Sequence, residues 1–220
     1  MTDIHTHIIP NVDDGSPNLE ASINMIKHEI EIGVDTIICT PHHIYHRYEK
    51  SVEEIKEKFN LLKQEVERLN LPIKLYLGQE ICYTHREDII KMLKEGKLLT
   101  LNNTNRILLE FSFTREPEDL NDVIYNFGVN GYEVIIAHIE RYEWMTLSKV
   151  AALRSEGALI QINSNSYLGL TSWKEKRFTR KLLKKGLVDF VASDTHSFRP
   201  STLDKSLKKI KNPDLFNYVR

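Results

Sequence analysis

The chain has 220 residues, 41% of them hydrophobic and 28% charged, the make-up of one globular domain able to bury its own core. Thirty basic against 31 acidic side chains leave a formal net charge of −1, so no overall field favours nucleic acid or an anionic membrane. Two cysteines are too few for a disulfide framework, and no apolar run approaches the ~20 residues of a membrane helix, so a soluble, cytoplasmic protein is expected.

In chain order, short aliphatic or β-branched runs predict seven strands, at 3–5, 36–39, 73–77, 107–111, 134–137, 159–162 and 190–192. Ser16 and Pro17, ahead of Leu19, Ile23, Ile26 and Ile30, supply an N-cap, a first-turn proline and an apolar stripe for a first helix. Ser51 and Glu54 have capping-box spacing before a second, whose stripe is Val52, Ile55, Phe59, Leu62, Val66 and Leu69. Shorter helices are expected at 87–95, 117–127, 147–156, 174–185 and 203–210. Gly33, Gly131, Gly157 and Gly186 each precede an apolar strand, where a left-handed residue ends a helix. Strands alternating with helices should be parallel, in a doubly wound sheet or a closed barrel, and periodicity does not choose between them. No linker or shift in composition divides the chain, so one domain over 1–220 is expected, with 209–220 its least constrained part.

Active sites of parallel α/β folds gather at the carboxyl ends of the strands. There the first strand carries His5 and His7, with Asp14 nearby, and the second leads into His42 and His43. The third runs to Glu80, the fourth to Glu110, the fifth to His138 and the seventh to Asp194 and His196. A lone histidine at such a position is usually structural, but here six strands aim an imidazole or a carboxylate at one rim. His5 and His7, two apart on an extended segment, point to the same side, as ligands of one metal would. Burying so many charges without a counter-charge costs several kcal/mol for each. Two or three divalent cations are therefore expected, and imidazole with carboxylate suits manganese, iron or zinc.

Asp-Ile-His-Thr-His, Asp13-Asp14-Gly15, Thr40-Pro41-His42-His43, Gly78-Gln79-Glu80, Leu109-Glu110, His138-Ile139-Glu140-Arg141-Tyr142 and Ser193-Asp194-Thr195-His196 together resemble the polymerase and histidinol phosphatase (PHP) superfamily. Within it they are most similar to the metal-dependent protein-tyrosine phosphatases of bacterial capsule and exopolysaccharide synthesis. The resemblance implies a distorted seven-stranded β/α barrel of TIM-like type. It implies three ions: one held by His5, His7, Glu80 and Asp194, a second by Glu80, Glu110 and His138, and a third by Asp14, His42 and His196. Manganese is the implied metal, and Arg141 and Arg199 are the implied phosphate ligands. The implied substrate is the phosphorylated, tyrosine-rich tail of a bacterial tyrosine kinase.

Phosphate-ester hydrolysis by metal-activated water needs no side-chain nucleophile. The cysteine-dependent route is excluded, because it needs an arginine six positions after the cysteine, and those positions hold Tyr45 and Asp88. Cys39 reads as a core residue and Cys82 as a partly buried rim residue. Tyr45, His46, Tyr48, Tyr83, His85 and Phe113 are candidates for the substrate entrance. Arg177, Arg180, Lys181, Lys184 and Lys185 read as a solvated helix face. A histidinol-phosphate or other small phosphomonoester phosphatase would share the same ligands. A silent metal-binding scaffold that docks a kinase would share them too, but would not need Arg141.

Overall fold

The computed structural model describes residues 1–218, so the last part of the 209–220 segment, Val219 and Arg220, lies outside the described residues. Strands β1 (Thr2–Thr6), β2 (Thr36–Cys39), β3 (His42–His43), β4 (Lys74–Leu77), β5 (Glu80–Cys82), β6 (Arg106–Glu110), β7 (Glu133–Ile136), β8 (Leu159–Asn163) and β9 (Phe190–Ala192) are interspersed with helices, except that β2 runs directly into β3 and β4 into β5. Every ladder is parallel: β1, β2 and β4 form one sheet, and β3, β5, β6, β7, β8 and β9 form another, in that order. Two predicted strands are thus continued by a short second strand in the neighbouring sheet. The first break falls at Pro41, which has no N–H for a ladder. The second falls at Gly78, where a Cβ would lie 2.6 Å from Leu101 Cδ2. At the far edges, Thr6 and Thr195 form a parallel bridge, and the Asp194 N–H donates to the His5 carbonyl at 2.9 Å.

Helices α1 (Leu19–Glu31), α2 (Val52–Arg68), α3 (Ile89–Lys94), α4 (Leu120–Val129), α5 (Leu147–Ser155), α6 (Ser164–Leu168), α7 (Trp173–Lys184) and α8 (Leu203–Ile210) fill the connections. The capping box of α2 is complete: the Glu54 N–H donates to Ser51 Oγ at 3.2 Å, and the Ser51 N–H to Glu54 Oε2 at 3.0 Å. The expected cap of α1 is displaced, because Asn18 Oδ1 accepts the Ala21 N–H at 2.9 Å while the Ser16 hydroxyl donates to the Asn18 carbonyl. Gly33, Gly131, Gly157 and Gly186 have φ of 89°, 86°, 98° and 65°, the left-handed helix ends read from the sequence. Helix α6 has no counterpart among the predicted elements; five polar-rich residues give too short a stripe to read.

The strands alternate faces with period two, and this divides the core. Ile37, Ile107, Leu109, Val134, Ile136 and Val191 pack with the helices, while Ile38, Leu108, Ile135, Ala137, Phe190 and Ala192 form a second, inner cluster with Leu101 and Tyr218. Counting on by twos from the inner residues reaches Thr40 and His42, Glu110, Gln161 and Asn163, and Asp194. His42, Glu110, Asp194 and the two amides of β8 are therefore the carboxyl-end continuation of the inner face, whereas His5, His7 and His138 do not fall on this count from Ile4, Ile135 and Ala137.

Candidate metal centre

His5, His7, Glu80, His138, Asp194 and His196 are almost completely buried, and Glu110 nearly so. Glu80 is the hub. Its Oε1 lies 3.2 Å from His5 Nε2 and 3.0 Å from His138 Nε2, and its Oε2 lies 3.3 Å from His7 Nε2 and 2.9 Å from His42 Nδ1. Asp194 Oδ1 is 3.6 Å from His5 Nε2 and 3.5 Å from His7 Nε2, while Asp14 is 3.6 Å from both His42 and His196. Glu110 is 3.5 Å from His138 Nε2. All nine ligands expected from the sequence thus stand together, in overlapping sets: His5 with His7 and Asp194, His5 with Glu80 and His138, His42 with Glu80 and Glu110, and His7 with Asp14, His42 and His196.

Two of these side chains reach the cluster from strained backbone. His138 has φ of 29° and Asp194 φ of 53°, both unusual outside glycine, and each turn follows directly on a strand end. Such strain persists only where surrounding contacts over-determine it, and here the His138 N–H is held by Gln161 Oε1 at 2.7 Å. Asp13 supplies a further constraint. Its Oδ2 lies 2.7 Å from His7 Nδ1 and accepts the His42 N–H at 3.0 Å, so it fixes the ring of one histidine and the backbone of another. The charge of His7 holds the Asp13 carboxyl down at about 2 although burial opposes it.

Gly15 closes this turn against His7. A Cβ there would lie 2.0 Å from the His7 carbonyl oxygen, so Gly15→Ala is expected to cost about 1–3 kcal/mol of stability. It should also weaken metal uptake by moving His7. Thermal unfolding with and without chelator checks both effects.

The donor set fits cations. His7 donates through Nδ1 to Asp13, which leaves its Nε2 as a lone pair only 3.2 Å from His5 Nε2, and both face carboxylate oxygens. Glu80 Oε2 and His42 Nδ1, although close, are not aligned for a hydrogen bond, and both are buried without a partner. So many acceptors converging on one another need either protons or cations between them. In the protein alone, protons take that place. Burial opposes charge on His5 and His7, yet Glu80 and Asp194 raise the first and Asp13 and Glu80 raise the second. Burial, then the Glu80 charge, pushes Glu110 up to about 9. Burial, then the Arg141 charge, holds His138 down at about 4.

Above this floor opens a cavity of about 550 Å³. Arg141 and Arg199 both line it and both meet Asp194 Oδ2, at 3.3 and 2.8 Å. Arg141 sits over Phe113, with its guanidinium carbon 4.2 Å from the ring centre. Ile44, Arg47, Phe113 and the exposed Phe198 line the same cavity.

A family model for capsular polysaccharide synthesis, CpsB/CapC, matches residues 1–213. The chain belongs to the CpsB/CapC family. It is 35% identical over 219 residues to the tyrosine-protein phosphatase CpsB of Streptococcus agalactiae, covering 96% of this chain and 89% of that one. It superposes with a TM-score of 0.88, at 33% identity, on a chain from the crystal structures of YwqE from Bacillus subtilis and CpsB from Streptococcus pneumoniae, described as unique metal-dependent tyrosine phosphatases. That match covers 95% of this chain and 87% of the other. Histidinol phosphate phosphatase from Lactococcus lactis shares the fold, with a TM-score of 0.64 at 15% identity over 98% of this chain and 94% of that one.

In this member of the CpsB/CapC family the entrance differs from its sequence expectation. Of the six aromatic and histidine candidates, Phe113 lines the cavity, whereas Tyr83 and His85 line a neighbouring one with Asp119. Tyr48 stacks on His42, with ring centres 5.8 Å apart. Cys82 lines the cavity too, but burial and then Glu110 push its thiol up to about 12, so it is no nucleophile at neutral pH.

Proposed function

We propose that this chain is a metal-dependent protein-tyrosine phosphatase that uses the buried imidazole and carboxylate floor to hold its ions and Arg141 with Arg199 to hold the phosphoryl group. The observation that carries this reading is the convergence of the ligand set and both arginines on one cavity with an aromatic wall. It is supported by the tyrosine phosphatases to which the chain is about one-third identical over nearly its whole length. His5, His7, Glu80 and Asp194 would hold one divalent ion, Glu80, Glu110 and His138 a second, and Asp14, His42 and His196 a third, with manganese as the metal. Bound there, such ions supply an activated water and positive charge for the phosphoryl oxygens.

The residues themselves do the rest. Among the described residues Arg141, which lines the cavity, uses only Nη1 on a protein acceptor, which leaves its remaining N–H groups for a phosphate. Asp194 pins both guanidinium groups through one oxygen, so the two cations are spaced before substrate arrives. The exposed Phe198 offers an apolar face to a phenol ring, and a phenolate leaves with less acid assistance than an alkoxide. We assign the chain as one PHP-type domain with a TIM-like β/α barrel, acting in the cytoplasm on the tyrosine-rich tail of a kinase that controls capsule or exopolysaccharide synthesis.

The test is phosphate release from a phosphotyrosine peptide and from histidinol phosphate in parallel, with manganese and after chelation. Chelator-sensitive turnover favouring the peptide is the expected result, and preference for histidinol phosphate would overturn the substrate assignment. Arg141→Met is expected to lower peptide turnover by about 10²–10³-fold, the usual effect of removing one donor to a developing oxyanion. A docking scaffold would bind the tail equally well without that arginine.

A further inference from the structure

The sixth predicted strand brings no histidine or carboxylate to the rim, yet β8 sends two completely or almost completely buried amides, Gln161 and Asn163, into it. Gln161 Oε1 accepts the His138 backbone N–H at 2.7 Å and lies 3.2 Å from His5 Nδ1. Gln161 Nε2 donates to Asn163 Oδ1 at 2.8 Å, and Asn163 Nδ2 donates to Asp194 Oδ2 at 2.9 Å. The Asn163 backbone N–H is in turn held by Glu140 Oε1 at 2.9 Å.

The polarity of this chain of bonds is fixed at both ends. A backbone N–H can only donate, so the Gln161 atom facing His138 is the oxygen. Its nitrogen then faces Asn163, whose oxygen must accept, which leaves the Asn163 nitrogen for Asp194. That oxygen, Asp194 Oδ2, also faces the Arg141 and Arg199 guanidinium groups at 3.3 and 2.8 Å, which can only donate, so it accepts. Because Gln161 Oε1 can only accept, His5 must carry a proton on Nδ1, and its Nε2 is the nitrogen turned toward His7 and Glu80.

We infer that Gln161 and Asn163 are positioning residues: a two-amide relay that sets the tautomer of His5, braces the strained turn at His138 and directs Asp194 Oδ1 to the imidazoles. The inference rests on the metal-centre reading above. One relay thus serves His5 and Asp194 of the first proposed ion and His138 of the second. Outer partners of this kind commonly change metal affinity by about 10- to 100-fold when removed.

The experiment uses zinc as the probe, in the full-length protein. Zinc affinity is measured by competition with a chelator, and nitrogen-resolved proton NMR of the zinc-loaded protein reads the His5 Nδ1–H, which should exchange slowly while it is bonded to Gln161. Gln161→Leu is expected to lose the slow exchange and about 10- to 100-fold in zinc affinity. Gln161→Glu still offers an acceptor to His5 and His138, so it should keep the slow proton, and it serves if the leucine variant does not fold. Asn163→Leu should keep the His5 proton but weaken zinc through Asp194. If Gln161→Leu binds zinc as wild type does with the proton still protected, the relay is wrong. Loss of the proton in Gln161→Glu would likewise reduce Gln161 to a packing role. Failure of the wild type to bind zinc would instead overturn the metal-centre reading itself.

Discussion

Glu80→Gln is expected to lower turnover of a phosphotyrosine peptide by about a thousand-fold, which corresponds to about 4 kcal/mol of lost charge stabilisation. Among the described residues no other side chain faces four imidazoles: His5 and His138 stand against one Glu80 oxygen, and His7 and His42 against the other. Burial opposes its charge, yet His5 and then His42 hold its carboxyl well below the ordinary range. The substitution keeps the shape but replaces an acceptor by an N–H₂ group that can only donate. That group faces imidazole nitrogens whose lone pairs the site needs for cations. Metal-induced gain in Tm should shrink along with activity, and the two measured together separate a lost ion from a misplaced substrate. Full activity in this variant would move the chemistry off this floor altogether.

The candidate ligand set was legible because it lies on titratable residue types at strand ends, and on some strands the period-two alternation carries an inner apolar residue forward to a polar one. Leu108 leads to Glu110 and Ala192 to Asp194 by the same step. That step also reaches Gln161 and Asn163 from Leu159, a signal present in the sequence but invisible to a search for charged or imidazole ligands. Asp13 was equally within reach beside Asp14, yet nothing in the sequence tells which of two adjacent carboxylates faces outward to a histidine nitrogen. The split of two strands at Pro41 and Gly78 was hidden because both halves read as one apolar run followed by a motif. Left-handed backbone at His138 and Asp194 could not be read at all. Non-glycine residues enter it only when tertiary contacts compel them, and those contacts join segments far apart in the chain.

Between pH 6.5 and 9, the chelated protein is expected to lose stability as pH rises, while the metal-loaded protein holds its own. The folded, metal-free chain keeps protons on His5 and His7, whose values are raised above the ordinary 6.5, and on Glu110, raised from 4.5 to about 9. An unfolded chain has released those protons over most of this range, so the folded state binds more of them and its stability falls as pH rises. Each such group contributes a slope of about 1.4 kcal/mol per pH unit while it is protonated only in the folded state. The opposing groups act elsewhere. Asp13 is lowered to about 2, and Glu80 and Asp194 are lowered as well, so their contribution is lost only as pH falls below the ordinary carboxylate range. His138 and His196, lowered to about 4, make stability rise with pH only up to 6.5. Above that point the raised groups act unopposed at this site. Cations occupying it displace the same protons, so metal binding should release protons and tighten with pH. Melting curves with manganese and with chelator should therefore diverge from pH 6.5 upward, and calorimetry in buffers of different ionisation enthalpy should register the released protons. Parallel curves with no proton release would mean that the cations bind somewhere other than among these imidazoles and carboxylates.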